Sequence, residues 1–109
     1  MADLGNPNFF KVFKGRYSYT DSSNNTHYAM LSCTNEVIFM DSLSSDANKL
    51  ICTLPAELRP TSTLYIPARY NGGNSYIVVN TNGKVTGGTA SKTYYLNGIS
   101  FNICANYYA

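Results

Sequence analysis

Gly, Pro and Asn interrupt the chain about every eight to twelve residues, and this spacing limits what it can fold into. Segments so short are strands rather than helices. No window carries apolar residues at i, i+3, i+4 and i+7 for three turns, so no long helix is expected. The candidate strands are 9–14, 16–20, 27–33, 36–40, 49–54, 63–67, 75–80, 83–86, 92–96 and 99–104. Asn82-Gly83, between SYIVVNT and KVT, is the strongest local signal, because both residues tolerate the positive φ of a type I′ hairpin turn. Asn97-Gly98, between KTYYL and ISFNIC, repeats the device. The stretch 70–74 reads as a longer Gly/Asn loop, and 20–26 and 41–48 read as polar loops without an apolar anchor. The sequence has no internal repeat and no linker, so 1–109 is read as a single domain, a length near the usual domain size. The expected fold is all-β, an antiparallel β-sandwich or barrel of about eight to ten short strands.

Composition agrees with that reading. Charged residues are 13% of the chain, about half the share usual in globular proteins, while Ser, Thr and Asn supply 34 of its 109 residues. Uncharged hydrogen-bonders and tyrosine thus replace Lys and Glu on much of the surface, which a helical bundle would not favour. With 44% hydrophobic residues the chain is not disordered. A net charge of +2 and no Lys/Arg run leave no electrostatic footprint for nucleic acid. No apolar stretch approaches the roughly 20 residues of a membrane helix. The polar start Met1-Ala2-Asp3-Leu4-Gly5 lacks the regions of a signal peptide. Cys33, Cys52 and Cys104, odd in number and widely spaced, read as free thiols buried in apolar segments and made in a reducing cytoplasm.

Several strands are apolar on both faces. Ile77 and Val79 oppose Tyr76 and Val78, and Val37 and Phe39 oppose Ile38 and Met40. A half-exposed antiparallel sheet alternates apolar and polar residues, so the second face is a candidate subunit interface.

Catalytic chemistry finds little to work with. The chain has one histidine and six carboxylates. His27 reads as a surface residue, there is no G-x-S-x-G elbow or thiol-protease signature, and Asp21, Asp41, Asp46 and Glu57 form no pair marked for glycosidase work. Gly72-Gly73 and Gly87-Gly88 lack the Lys and helix of a phosphate cradle, and no metal-ligand cluster appears. No enzyme, cofactor or metal is expected.

What remains is a surface of Tyr, Asn, Ser and Thr, an inventory suited to sugars. Aromatic faces accept the apolar C–H side of a saccharide ring, and amide, carboxylate and guanidinium groups pair with its hydroxyls. The candidate stacking platforms are Tyr17, Tyr19, Tyr28, Tyr70 and Tyr76. Asp21, Asn71 and Asn74 are candidate hydroxyl partners, and Arg69 suits a phosphate or carboxylate on the glycan.

Segment 49–104 carries an ordered set of features: Leu54-Pro55, Arg59-Pro60, Ile66-Pro67-Ala68, Asn82-Gly83-Lys84-Val85 and the closing run 96–101. In order and spacing this half of the chain resembles the C-terminal head domain of phage tail-fibre and baseplate receptor-binding proteins, from phages and prophages of Gram-positive bacteria. The resemblance implies a β-sandwich or barrel head that assembles as a homotrimer, sits at the tail tip or baseplate of the virion, and binds cell-wall or capsular polysaccharide without cleaving it. Pro55 and Pro60 fix φ and remove N–H donors, so 54–60 is expected to cross between strands with Arg59 as scaffold. The rival readings are a structural trimerisation cap on a longer fibre or depolymerase, with no ligand of its own, and a monomeric secreted carbohydrate-binding module.

Overall fold

The computed structural model describes residues 13–104. They form ten antiparallel strands in one sheet that curls into a half barrel, with a single 3-10 turn at Ala56–Leu58 as the only helix among them. The strands are β1 (Phe13–Asp21), β2 (Thr26–Ser32), β3 (Glu36–Phe39), β4 (Leu43–Ser44), β5 (Leu50–Thr53), β6 (Leu64–Tyr70), β7 (Gly73–Val79), β8 (Lys84–Gly87), β9 (Thr93–Tyr94) and β10 (Ser100–Asn102). Their order across the sheet is β10-β3-β2-β1-β5-β8-β7-β6-β9-β4. Buried residues from every part of this order, among them Tyr19, Phe39, Leu43, Ile51, Ile77, Val85, Tyr94 and Phe101, join one core cluster, so the sheet wraps its own interior.

The residues of β3 and β7 divide between the two faces as read: Val37, Phe39, Ile77 and Val79 are buried, while Met40 and Tyr76 stay 43% and 45% exposed on the outer face. Other expectations need correction. Residues 9–12 of the first candidate strand lie outside the described residues, and 13–14 and 16–20 belong to one strand. The polar stretch 41–48 contains β4, too short to show a period. The 70–74 loop is a tight turn at Asn71-Gly72, with Gly72 at φ 106° and the strands continuing on both sides. Of 92–96, only Thr93–Tyr94 pairs. The β7–β8 turn is not type I′. The Gly83 N–H donates to the Asn80 carbonyl (2.9 Å) and only Gly83 has positive φ, which is a type I turn followed by a glycine bulge. Asn97-Gly98 does form a turn, closed by the Ile99 N–H on the Leu96 carbonyl at 2.8 Å, but β9 and β10 are not neighbours and no hairpin results. Cys52 is buried, whereas Cys33 is exposed and Cys104 half-buried; all three are free.

The topology contains a repeat that the sequence does not display. Strands β1–β5 and β6–β10 follow the same course: a hairpin, a tight turn into a third strand, a two-residue strand, then a closing strand. The register confirms the match. Ser18 faces Tyr28 and Pro67 faces Tyr76; Thr20 faces Thr26 and Arg69 faces Asn74. Ala29, Leu31 and Val37 have Ile77, Val79 and Val85 as buried counterparts, and the positive-φ residues Asn35 and Gly83 close equivalent turns. Counterparts lie about fifty residues apart throughout. The halves exchange their last strands: β5 pairs with β8 and β10 with β3, while β4 and β9 pair with each other.

One pairing breaks the symmetry. β5 also bonds to β1, with Thr20 opposite Thr53 and Asp21 opposite Cys52. Among the described residues β10 has no such pairing with β6, which instead meets β9 through Tyr70 and Tyr94. Pro67, which has no N–H to offer, fits a strand whose edge is left open.

Candidate functional site

A groove of about 620 Å³ opens beside β6 where the closing pair is missing. Pro67, Ala68 and Arg69 of β6 form one wall with Asn74 and Ser75 of β7, and the other wall is Tyr95, Asn97 and Ile99, from the run into β10. The strands explain the placement. Arg69 and Asn74 are directly opposite in the hairpin register, both exposed, so guanidinium and amide project side by side. The Tyr95 N–H donates to the Arg69 carbonyl (2.9 Å) and the Asn71 N–H to the Thr93 carbonyl (3.0 Å), which pins the far wall to the hairpin. Tyr95 lies between buried Tyr94 and Leu96 in the alternation, so its ring is turned outward and 45% exposed. Among the described residues no carboxylate lines the groove. It offers a cation, amides, a hydroxyl and an aromatic ring on a scaffold of main-chain hydrogen bonds.

The sequence-predicted residues distribute unevenly around this groove. Arg69 and Asn74 line it, and Tyr70 and Asn71 sit at the adjoining turn. Tyr70 is half-buried, edge-on to Tyr94 at 5.9 Å with the Lys92 ammonium 5.4 Å from its ring, so its role is packing. Tyr76 is outside the groove and tilts against Tyr65 at 6.3 Å; Tyr65 is 71% exposed. Tyr17 and Tyr28 belong to the other half. Tyr17 is half-buried against the core, and the Arg16 guanidinium covers the Tyr28 ring at 4.4 Å. Tyr19 cannot serve as a platform: it is 4% exposed, stacked on His27 and edge-on to Phe39. Burial, with the charges of Cys52, Asp41 and Asp21, pushes its phenol far above the usual range. Its hydroxyl has no hydrogen-bond partner among the described residues.

Asp21 is likewise spoken for. Its Oδ1 accepts the Ser23 and Asn25 N–H groups at 2.9 and 2.8 Å, and its Oδ2 lies 2.8 Å from His27 Nε2. Burial alone would raise this carboxyl, but the hydrogen bonds from His27, Asn25 and Ser23 outweigh it and hold the group below the usual carboxylate range. His27 is therefore not a solitary surface residue. Its other nitrogen, Nδ1, is 3.2 Å from Asp41 Oδ2, so both ring nitrogens are occupied by carboxylates. The cluster borders an acidic, serine-rich cup of about 300 Å³ that includes Asp46. Cys52 beside it is buried, and burial together with the Asp21 charge pushes its thiol up, away from the thiolate a nucleophile needs.

Sequence reasoning missed Ser75, Tyr95, Asn97 and Ile99. Asn97 was visible only as a turn former. For Tyr95 the signal was the alternation Tyr94-Tyr95-Leu96, which turns the middle ring away from the core. No family model, no curated protein and no solved structure matches this chain.

Proposed function

We propose that this domain binds a bacterial cell-surface saccharide without altering it, as the receptor-binding head of a phage tail. The observation that carries the reading is the open groove beside β6, where Arg69, Asn74, Ser75 and Asn97 converge beside the outward ring of Tyr95. These groups match a sugar: planar amides and a hydroxyl for its hydroxyls, a ring for its C–H face, and a guanidinium for a phosphate or carboxylate substituent. Asn82-Gly83-Lys84-Val85 and the proline-marked crossing at 54–60, where the Arg59 Nε–H donates to the Leu54 carbonyl at 3.1 Å, support it through the resemblance to tail-fibre heads.

The same reading includes a homotrimer at the tail tip or baseplate. Its support is the outer face, where Tyr65, Tyr76, Tyr28 and Met40 remain exposed opposite a filled core. Stable interfaces of this kind bury roughly 2,000 Å² or more in total and are mostly apolar. Each groove binds a sugar weakly, because desolvation and ordering offset most of the hydrogen bonds, and three copies per head raise avidity.

Fluorescently labelled protein, added to whole cells and wall extracts of the host, tests the function. Binding competed by purified wall polysaccharide supports it. An assembled trimer that binds no host strain points to a structural cap, and release of reducing sugar points to an enzyme.

A further inference from the structure

The two halves share a fold, and the groove beside β6 has a counterpart. Its hairpin wall comes from Ser75, whose counterpart His27 lines the acidic cup instead, and from Pro67, Ala68, Arg69 and Asn74. By register, the equivalents of these last four in the first half are Ser18, Tyr19, Thr20 and Thr26, because Ser18–Tyr28 corresponds to Pro67–Tyr76 and Thr20–Thr26 to Arg69–Asn74. Those four residues line a second groove, of about 330 Å³. Its far wall is the end of β5 and the crossing beyond it, with Thr53, Pro55 and Arg59.

The chemistry matches as well as the position. Among the described residues each groove has one arginine, several uncharged hydrogen-bonders and no carboxylate. Thr20, Thr26 and Thr53 are exposed, and none of their hydroxyls is engaged with another described group. Arg59 uses its Nε on the Leu54 carbonyl, which fixes the side chain and leaves its terminal nitrogens without a partner among the described residues. The serine-rich cup differs in sign, since Asp21 and Asp46 make it acidic.

We infer that the Thr20–Thr26–Arg59 groove is a second binding site for the same hydroxyl-rich, anionic saccharide, so that one chain engages a repeating polymer at two places. The inference rests on the proposed function of the first groove. The second groove is about half the volume of the first, and it supplies threonine hydroxyls where the first supplies amides and a ring. The second site is accordingly the weaker. Its contribution appears with long polymers, where the second contact is intramolecular.

The test is titration calorimetry with backbone NMR on the full chain, using two probes: a glycerol-phosphate oligomer and an oligogalacturonate. They separate phosphate from carboxylate as the anionic group. The expected result is two sites per chain for a short probe, with amide shifts at Thr20, Thr26 and Thr53 as well as at Arg69 and Asn74. Thr26→Ala combined with Thr53→Ala removes the first set of shifts and leaves Arg69-groove affinity within about twofold. The same pair weakens binding of the long polymer by about tenfold or more. Arg59→Lys, which keeps the charge should Arg59→Ala fail to fold, weakens the second site alone. One site per chain, with shifts confined to Arg69 and Asn74, overturns the second site and leaves the proposed function standing. Absence of binding at both grooves overturns both.

Discussion

The two halves of this molecule start from the same strand course and end with different surfaces, and one loop accounts for much of the difference. In the first half β1 and β2 are joined by residues 22–25, and β1 reaches Asp21 before turning. That length lets Asp21 pair with β5 opposite Cys52 and lets its carboxylate gather Ser23, Asn25 and His27. The strand edge is closed and the hairpin end is acidic. In the second half the turn is only Asn71-Gly72, the Asn71 N–H is taken by the Thr93 carbonyl, and β10 stays unpaired with β6. The edge is open and its hairpin end carries Arg69. Loop length, more than core composition, decides which half closes its strand edge and which leaves it open.

The cores also compensate. Phe39 has Gly87 as its counterpart, and the volume is filled from β9 instead: a Cβ on Gly87 would come within 2.5 Å of the Tyr94 hydroxyl. Tyr94 is fully buried, with that hydroxyl donating to the Thr89 carbonyl and accepting the Thr89 N–H, both at 2.8 Å. If the halves are equivalent in this sense, Phe39→Ala and Tyr94→Ala each cost about 3–5 kcal/mol, read by urea unfolding. A large loss for one and a negligible loss for the other breaks the comparison. Gly87→Ala is expected to destabilise by about 1–3 kcal/mol through overpacking against Tyr94.

A smaller effect separates two glycines with the same backbone conformation. Gly83 and Gly98 both sit at φ 90°, but a Cβ on Gly83 would lie 2.5 Å from the Leu54 carbonyl, whereas one on Gly98 meets nothing within 4 Å. Gly98→Ala therefore costs only the backbone term, about 1 kcal/mol, and Gly83→Ala costs more, since the Arg59-bearing crossing must move as well. Equal losses in thermal melts contradict the packing assigned to that crossing.

The acidic end of the first half predicts a pH dependence that the second half lacks. Because folding lowers the Asp21 carboxyl below its ordinary range, its contribution is present above that range and is lost as pH falls through the folded value. Asp21→Asn should flatten the acid limb of the stability curve, and Arg69→Ala should leave it unchanged. An acid limb that persists in Asp21→Asn shows that other carboxylates govern it.

Much of the strand plan was legible because Gly, Pro and Asn punctuation is local, but the buried face of β3 and β7 was not: both carry apolar residues on both faces, and packing selects Val37, Phe39, Ile77 and Val79. β4 was not legible, since Leu43–Ser44 is too short to alternate and is held by β9 from far along the chain. Pro67 read as a strand end, yet β6 runs on to Tyr70, because a proline on an open edge removes a donor nothing needs. Of the site, Arg69 and Asn74 stood out through the composition of their hairpin. Tyr95 and Asn97 did not, since the β6–β9 contact that brings them there joins distant segments. Tyr19 failed as a platform although its neighbours marked it as inward: RYSYT sets Arg16, Ser18 and Thr20 on one face and Tyr17 and Tyr19 on the other, and the polar face is the exposed one.

The groove beside β6 is the central claim, and equilibrium binding of purified host wall polysaccharide tests it most directly, comparing the unmodified protein with Arg69→Ala and Asn74→Ala. Both side chains are exposed, so melting temperature should be unaffected, with stability changes within about 0.5 kcal/mol. The account predicts that each variant loses at least about tenfold in affinity, equivalent to roughly 1.4 kcal/mol, while keeping its fold. Affinity unchanged in both variants would contradict it.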